Sequence, residues 1–176
     1  MIIHTLGPQE TDSNDAAQYY IQHNALSKAQ IVLSASYTDI INALPQYQND
    51  FLLIPTAFKS VALNLTWGEL HYQYLDQLEL KDCFIHRLNP LVMIEHCQRK
   101  SGIAYSHPAT AKLLAAKVHP QQMYYSASKY LAYQQYLHDG QYTLTNEKNI
   151  VLSSEEKIIA RYEPQMIWSL YQIKGL

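Results

Sequence analysis

The sequence predicts an α/β protein of two lobes, and three features carry that expectation. Short apolar runs alternate with helical stretches in the order β-α-β-α-β over the first third of the chain, which implies a parallel sheet with crossover helices. One device, a strand followed by small polar residues and then a helix, recurs four times. After Pro164 the chain turns strand-like again, as expected of a tail that returns to complete the first sheet.

The composition bounds the class. The chain has 176 residues, 48% of them hydrophobic and 16% charged, which is enough to bury a real core. A net charge of −2 leaves no basic field for nucleic acid. No apolar run approaches membrane-spanning length, and the N-terminus lacks the basic and apolar regions of a leader, so the expected location is cytoplasmic, with no membrane partner. Cys83 and Cys97 make neither a disulfide framework nor a zinc site and read as small buried hydrophobes. No metal or cofactor is expected. The 15 tyrosines, against 3 phenylalanines, suit core edges and polar clefts.

The elements follow in order. Met1 to Leu6 is a strand, Gly7-Pro8 a turn, and Thr11, Asp12, Ser13 and Asn14 are helix-capping residues ahead of the apolar stripe Ala16, Ala17, Tyr20 and Ile21. Ile31 to Leu33 reads as a buried parallel strand. Ser36 to Leu44 reads as a short helix stopped by Pro45, and Phe51 to Ile54 as a third strand closed by Pro55. Val61 to Leu75 reads as a short helix and a loop. Leu78 to Leu88 and Leu91 to His96 read as strands crossing into the second lobe. There the device repeats: Gly102 to Tyr105, then Ser106-His107-Pro108, then a helix to Lys117; and Met123 to Tyr125, then Ser126-Ala127-Ser128, then a helix to His138. Gly140 reads as a left-handed cap, and Thr145-Asn146-Glu147, after the strand Tyr142 to Leu144, as another polar helix start. Lys157 to Tyr162 and Met166 to Ile173 are the strands of the tail.

In open parallel sheets ligands bind beyond the C-terminal strand ends. Those ends carry Thr11 and Ser13, Ser106 and His107, Ser126 and Ser128, and Thr145 and Asn146. Hydroxyls and helix-start N–H groups suit a small anion, and two helix starts suit a dicarboxylate or keto acid. The plain alternative is that each set only caps its own helix. His107 reads either as a donor or proton source, or as a capping residue bonded to backbone. Glu10 would repel an anion and is expected to turn to solvent, as are Lys59, Lys112 and Lys129.

Several of these segments resemble prephenate dehydratase catalytic domains. Gly7, Pro8, Thr11, Ser13, Ala16 and Ala17 match their Gly-Pro-x-Gly-Thr-x-Ser-x-x-Ala-Ala opening, with Glu10 in place of the second glycine. Pro55 matches Pro-x-Glu-Asn, with Ala57 and Phe58 replacing Glu-Asn, and Ser106-His107-Pro108 matches Ser-His-Pro. Ser126-Ala127-Ser128 falls where the family has Ser-Thr-x-x-Ala, the threonine lost. Thr5-Leu6-Gly7-Pro8, Leu144-Thr145-Asn146-Glu147 and Trp168-Ser169-Leu170-Tyr171 are more similar to the non-aromatising prephenate decarboxylases of the bacilysin pathway. Where dehydratases carry a catalytic Thr-Arg-Phe, this chain aligns Ile167, Trp168 and Ser169.

The resemblance implies one dehydratase-type domain without an ACT domain, in a two-lobed fold of the type 2 periplasmic-binding-protein kind with the ligand in the cleft between lobes. The first lobe is expected at about 1–76 and 154–176, and the second at about 77–153. It implies a cofactor-independent lyase that decarboxylates prephenate in antibiotic biosynthesis. A divergent dehydratase of phenylalanine biosynthesis and a non-catalytic small-acid binding domain are the alternatives. His107 and Trp168 are the implied catalytic residues, and Thr5, Thr11, Ser13, Thr56, Ser106, Ser126, Ser128, Thr145 and Asn146 the substrate-binding ones. A homodimer is implied by the family alone.

Overall fold

The structure, a computed structural model, describes residues 1–175. In chain order the first elements are β1 (Ile2–Leu6), α1 (Asp12–His23), β2 (Gln30–Ser34), α2 (Tyr37–Asn42) and β3 (Phe51–Pro55). The hairpin β4 (Lys59–Ser60) and β5 (Leu65–Thr66), α3 (Trp67–Gln73) and β6 (Leu78–Arg87) follow. Next come β7 (Leu91–His96), β8 (Ile103–Ser106), α4 (Ala111–Val118), β9 (Gln122–Tyr125), α5 (Lys129–Asp139), β10 (Tyr142–Asn146), β11 (Glu156–Tyr162) and β12 (Gln165–Ile173). The chain forms two compact units. Unit 1 is Met1–His86 with the segment from Gln165, and unit 2 is Arg87–Pro164.

Unit 1 is built on a five-stranded sheet in the order β2-β1-β3-β12-β6. β1 runs parallel to β2 and β3, as the β-α-β-α-β pattern requires. β12 is antiparallel to β3 and sets Trp168 opposite Pro55 and Tyr171 opposite Leu52. One core gathers Leu6, Ile40, Ile41, Leu52, Ile54, Leu70 and Tyr171. β2 corrects the sequence reading. It is an edge strand with Val32 39% exposed, because an apolar run does not record how many neighbours it will pair with. The stretch from Val61 contains the β4–β5 hairpin, and α3 opens on a capping box in which Thr66 N–H donates to Glu69 Oε2 at 2.7 Å.

Unit 2 carries the sheet β11-β7-β10-β8-β9. β8 is parallel to β9 and β10, whereas β7 is antiparallel to β10 and β11. α4 covers a core of Leu91, Met93, Ala104, Leu114 and Leu144, and α5 one of Val92, Ile94, Tyr133 and Tyr136. The crossings fall at Arg87 and Pro164, later than the sequence boundaries, because β6 joins the unit 1 sheet beside β12 while β11 pairs with β7. Of the two tail strands, therefore, only β12 returns to the first sheet.

Three local readings change. Gly140 is extended (φ −67°, ψ 139°), and its small size answers a close approach: a Cβ there would lie 2.8 Å from the Tyr136 ring. The left-handed helix end is instead His119, after α4 (φ 47°, ψ 59°). Thr145 and Asn146 belong to β10, which runs on into a single 3-10 turn at Glu147–Asn149. The cysteines are not buried: Cys83 is exposed and Cys97 half-buried, Cys83 because it lies on the edge strand β6. Among the described residues no helix is long and apolar enough to cross a membrane.

Candidate functional site

In unit 1 the parallel strands end at Leu6, Ser34 and Pro55. Thr11 and Ser13 follow β1, Thr56 follows β3, and antiparallel pairing brings Trp168 to the same sheet edge. Thr11 has the extended backbone of an N-cap (φ −81°, ψ 152°) and accepts from Asn14 N–H. Its hydroxyl donates to the carbonyls of Leu6 (2.8 Å) and Pro8 (2.9 Å), tying the loop to the helix start. Asp12, Ser13 and Asn14 are all buried in the first turn of α1.

Tyr37, at the start of α2, connects this edge. Its hydroxyl donates to the Leu53 carbonyl at 3.2 Å and lies 3.1 Å from Ser13 Oγ and 3.2 Å from Thr5 Oγ1. Thr5 donates to the same carbonyl at 2.9 Å. Burial pushes the Tyr37 phenol up to about 12, against the opposing pull of the Ser13 and Thr5 hydrogen bonds. It is therefore a neutral donor at physiological pH. Sequence reasoning missed Tyr37. The available signal was a tyrosine immediately after a helix-capping serine, where small or acidic residues are usual.

Thr56 donates to the Ile167 carbonyl at 3.2 Å, joining the ends of β3 and β12. Trp168 is 1% exposed, and its indole N–H has no partner among the described residues. Ser169, fully buried beside it, lies 3.6 Å from Cys83 Sγ. Phe58, which replaces the acid–amide pair, is a core residue whose ring meets Tyr37 edge-on at 5.5 Å. Glu10 and Lys59 are exposed.

In unit 2 the parallel strands end at Ser106, Tyr125 and Asn146. Ser106 Oγ lies 3.0 Å from Thr110 Oγ1, and both hydroxyls reach the His107 carbonyl. His107 is half-buried, and its Nδ1 accepts from Ala109 N–H at 3.2 Å, so the neutral ring carries its proton on Nε2. Burial first, and then the Lys129 charge, lower its pKa to about 4. His107 is thus a neutral donor, and its backbone bond is the one a capping histidine makes. Ser126 donates to Gln135 Oε1, and Ser128 caps α5 by accepting from Leu131 N–H at 3.1 Å. Thr145 donates to the Lys129 carbonyl at 2.8 Å, which fixes the start of α5 against the end of β10. Asn146 is 1% exposed with no partner on Oδ1 among the described residues. Lys129 is half-buried, unlike the exposed Lys112.

The predicted residues therefore fall on one sheet edge within each unit, and most of their hydroxyls also serve the local backbone. Most of their O–H donors are engaged within the protein, whereas the Trp168 indole N–H and Asn146 Oδ1 have no partner among the described residues. Among the described residues no group of three or more His, Cys, Asp or Glu is placed to hold a metal ion.

No protein-family profile matches the chain, and no curated protein matches it in sequence. Solved structures do resemble it. Prephenate dehydratase from Arthrobacter aurescens, in complex with L-Phe, superposes with a TM-score of 0.58 at 12% identity, over 100% of this chain and 61% of that one. The enzyme from Staphylococcus aureus gives 0.52 at 14%, over 100% and 67%. The periplasmic VFT2 domain of Bordetella pertussis BvgS gives 0.58 at 9%, over 98% and 80%. The chain thus spans under two thirds of the length of the Arthrobacter enzyme. At these identities the likeness is one of fold: the chain has the mixed α/β, periplasmic-binding-protein-like architecture common to these dehydratases and this periplasmic domain.

Proposed function

We propose that this protein is a prephenate decarboxylase-like lyase, removing CO2 from prephenate without aromatising the ring, in antibiotic or other secondary-metabolite biosynthesis. The observation that carries the reading is Trp168, buried at the strand-end edge of unit 1 with its indole N–H unpartnered among the described residues. In decarboxylation the bond to the ring carboxylate breaks, its electron pair moves through the ring, and a ring carbon takes a proton. The 4-hydroxyl must stay, so whatever holds it must not protonate it. An indole N–H donates a hydrogen bond but not its proton. The aligned Thr-Arg-Phe of dehydratases would put a hydroxyl and a cation at that point.

In this reading Trp168 shapes the ring pocket, and His107 gives a neutral Nε2–H donor to a substrate carboxylate or ketone. Ser106, Ser128 and Thr145 hold the unit 2 backbone that presents these groups, as Thr5, Thr11 and Thr56 do in unit 1, while Ser126 and Ser13 bond the side chains of Gln135 and Tyr37. The fold shared with dehydratases supports a substrate of that class. A non-catalytic small-acid binding domain is the second reading. It is favoured by hydroxyls that cap helices and by the likeness to the BvgS periplasmic domain.

The test is proton NMR of prephenate with purified protein against a protein-free control. Protein-dependent growth of a product that keeps olefinic ring protons is the expected result. Aromatic phenylpyruvate signals would make the protein a dehydratase. No acceleration would overturn both lyase readings, and thermal shift with keto and aromatic acids would then test binding.

A further inference from the structure

Acidic residues are spread unevenly along the chain. Between Glu95 and Asp139 there is none, while that stretch holds Arg99, Lys100, Lys112, Lys117 and Lys129. It includes β8, α4, β9 and α5 of unit 2. The whole chain has a net charge of −2, so this part of unit 2 is cationic against an acidic remainder. Arg99 is engaged by carbonyls at the end of α5, and Lys100 by the Cys97 carbonyl. Lys112 is exposed and has no side-chain partner among the described residues.

That lysine lines a cavity of about 400 Å³ between α4 and β9. The volume lies in the ~300–1,000 Å³ range of small-molecule sites. Topology explains its place. β9 is the edge of the unit 2 sheet and α4 is the crossover from β8, so the first turn of α4 lies beside the end of β9. Large side chains that would fill the gap are missing, because α4 turns Ala111 and Ala115, one helical turn apart, toward it. Met123 lines its middle, and Tyr125, 55% exposed, lines the end of β9. At the other end α4 stops on His119 in the left-handed conformation (φ 47°), which glycine or asparagine usually takes, and Pro120 follows. The middle is apolar and suits a ring, which a thioether contacts favourably. The Lys112 ammonium and the Tyr125 phenol suit a carboxylate. An ammonium group would meet no carboxylate from this stretch. None of the lining residues is among those at the strand-end edges.

We propose that the α4–β9 cavity binds a small aromatic acid, with its ring over Ala115 and Met123 and its carboxylate at Lys112 and the Tyr125 hydroxyl. The site does not depend on whether the strand-end edges act on prephenate. The probe is phenylpropionate, titrated into isotope-labelled protein and followed by amide NMR shifts. Saturable shifts clustered in residues 111–125 are expected. Phenethylamine, the same ring on a cation, should leave those amides unmoved. Lys112→Glu should raise the dissociation constant about fivefold or more, and Lys112→Arg, which keeps the charge, should change it less than about threefold. Ala115→Leu fills the cavity and should remove the shifts. The Lys112 variants alter only an exposed side chain, so they carry the test should Ala115→Leu fail to fold. Absence of shifts in residues 111–125 would overturn the proposal, and so would shifts confined to Ser106, Ser126, Ser128 and Asn146. Equal binding of phenethylamine, or an affinity that ignores Lys112→Glu, would overturn it as well.

Discussion

The two polar strand-end edges use the same residue types and wire them differently. In unit 1, Thr5 and Ser13 meet at the Tyr37 hydroxyl, which shares the Leu53 carbonyl with Thr5. In unit 2 the serine hydroxyls stay with their own segments, Ser106 with Thr110, Ser126 with Gln135 and Ser128 with Leu131, and Thr145 reaches across to the Lys129 carbonyl. The first edge is a joint between elements far apart in the chain, and the second is mostly a set of separate short-range contacts. A network loses several partners when one member goes, whereas separate contacts are lost one at a time.

The largest expected effect tests whether Trp168 is part of the unit 1 framework. Trp168→Ala empties a fully buried site and should cost about 3–5 kcal/mol in denaturant unfolding. A loss below about 1 kcal/mol would show that the indole is not packed as described. Next, Tyr37→Phe should cost about 1–3 kcal/mol by leaving buried hydroxyls without a partner. With Thr5→Val it should show a coupling of at least about 0.5 kcal/mol. Ser106→Ala and Ser128→Ala should each cost about 1 kcal/mol and add without coupling. Equal couplings in both units would break the contrast.

A pH-dependent effect concerns His107. Its folded pKa of about 4 lies below the ~6.5 expected of an unfolded chain, so between these values the unfolded state binds more protons. Stability should therefore fall as pH drops from about 6.5 to 4 and level off below. His107→Gln should flatten that part of the curve, and an unchanged slope would show that the ring is not shielded as described.

The parallel strands and the polar stretches that hold the caps Thr11, Ser36 and Ser128 were legible because each is written in neighbouring residues, though not which residue of each stretch is the cap. What was not legible depends on distant pairing. Ile31 to Leu33 looks the same at an edge or a centre, and β6 and β11 declare their sheets only through partners far along the chain. Gly140 is small because Tyr136 lies against it, a contact that no turn rule anticipates. Tyr37 was overlooked because its role comes from Thr5, Ser13 and Leu53, none of them its neighbour in sequence.

The place of β12 has a consequence for the order of assembly during synthesis. Unit 2 is one continuous stretch, so its sheet can close as soon as β11 has been made. Unit 1 waits. Until β12 emerges, β3 exposes one flank of Leu52, Leu53 and Ile54, and β6 has no strand to join. The half of the protein that is begun first is thus finished last, and the unpaired flank of β3 is its point of greatest exposure to aggregation.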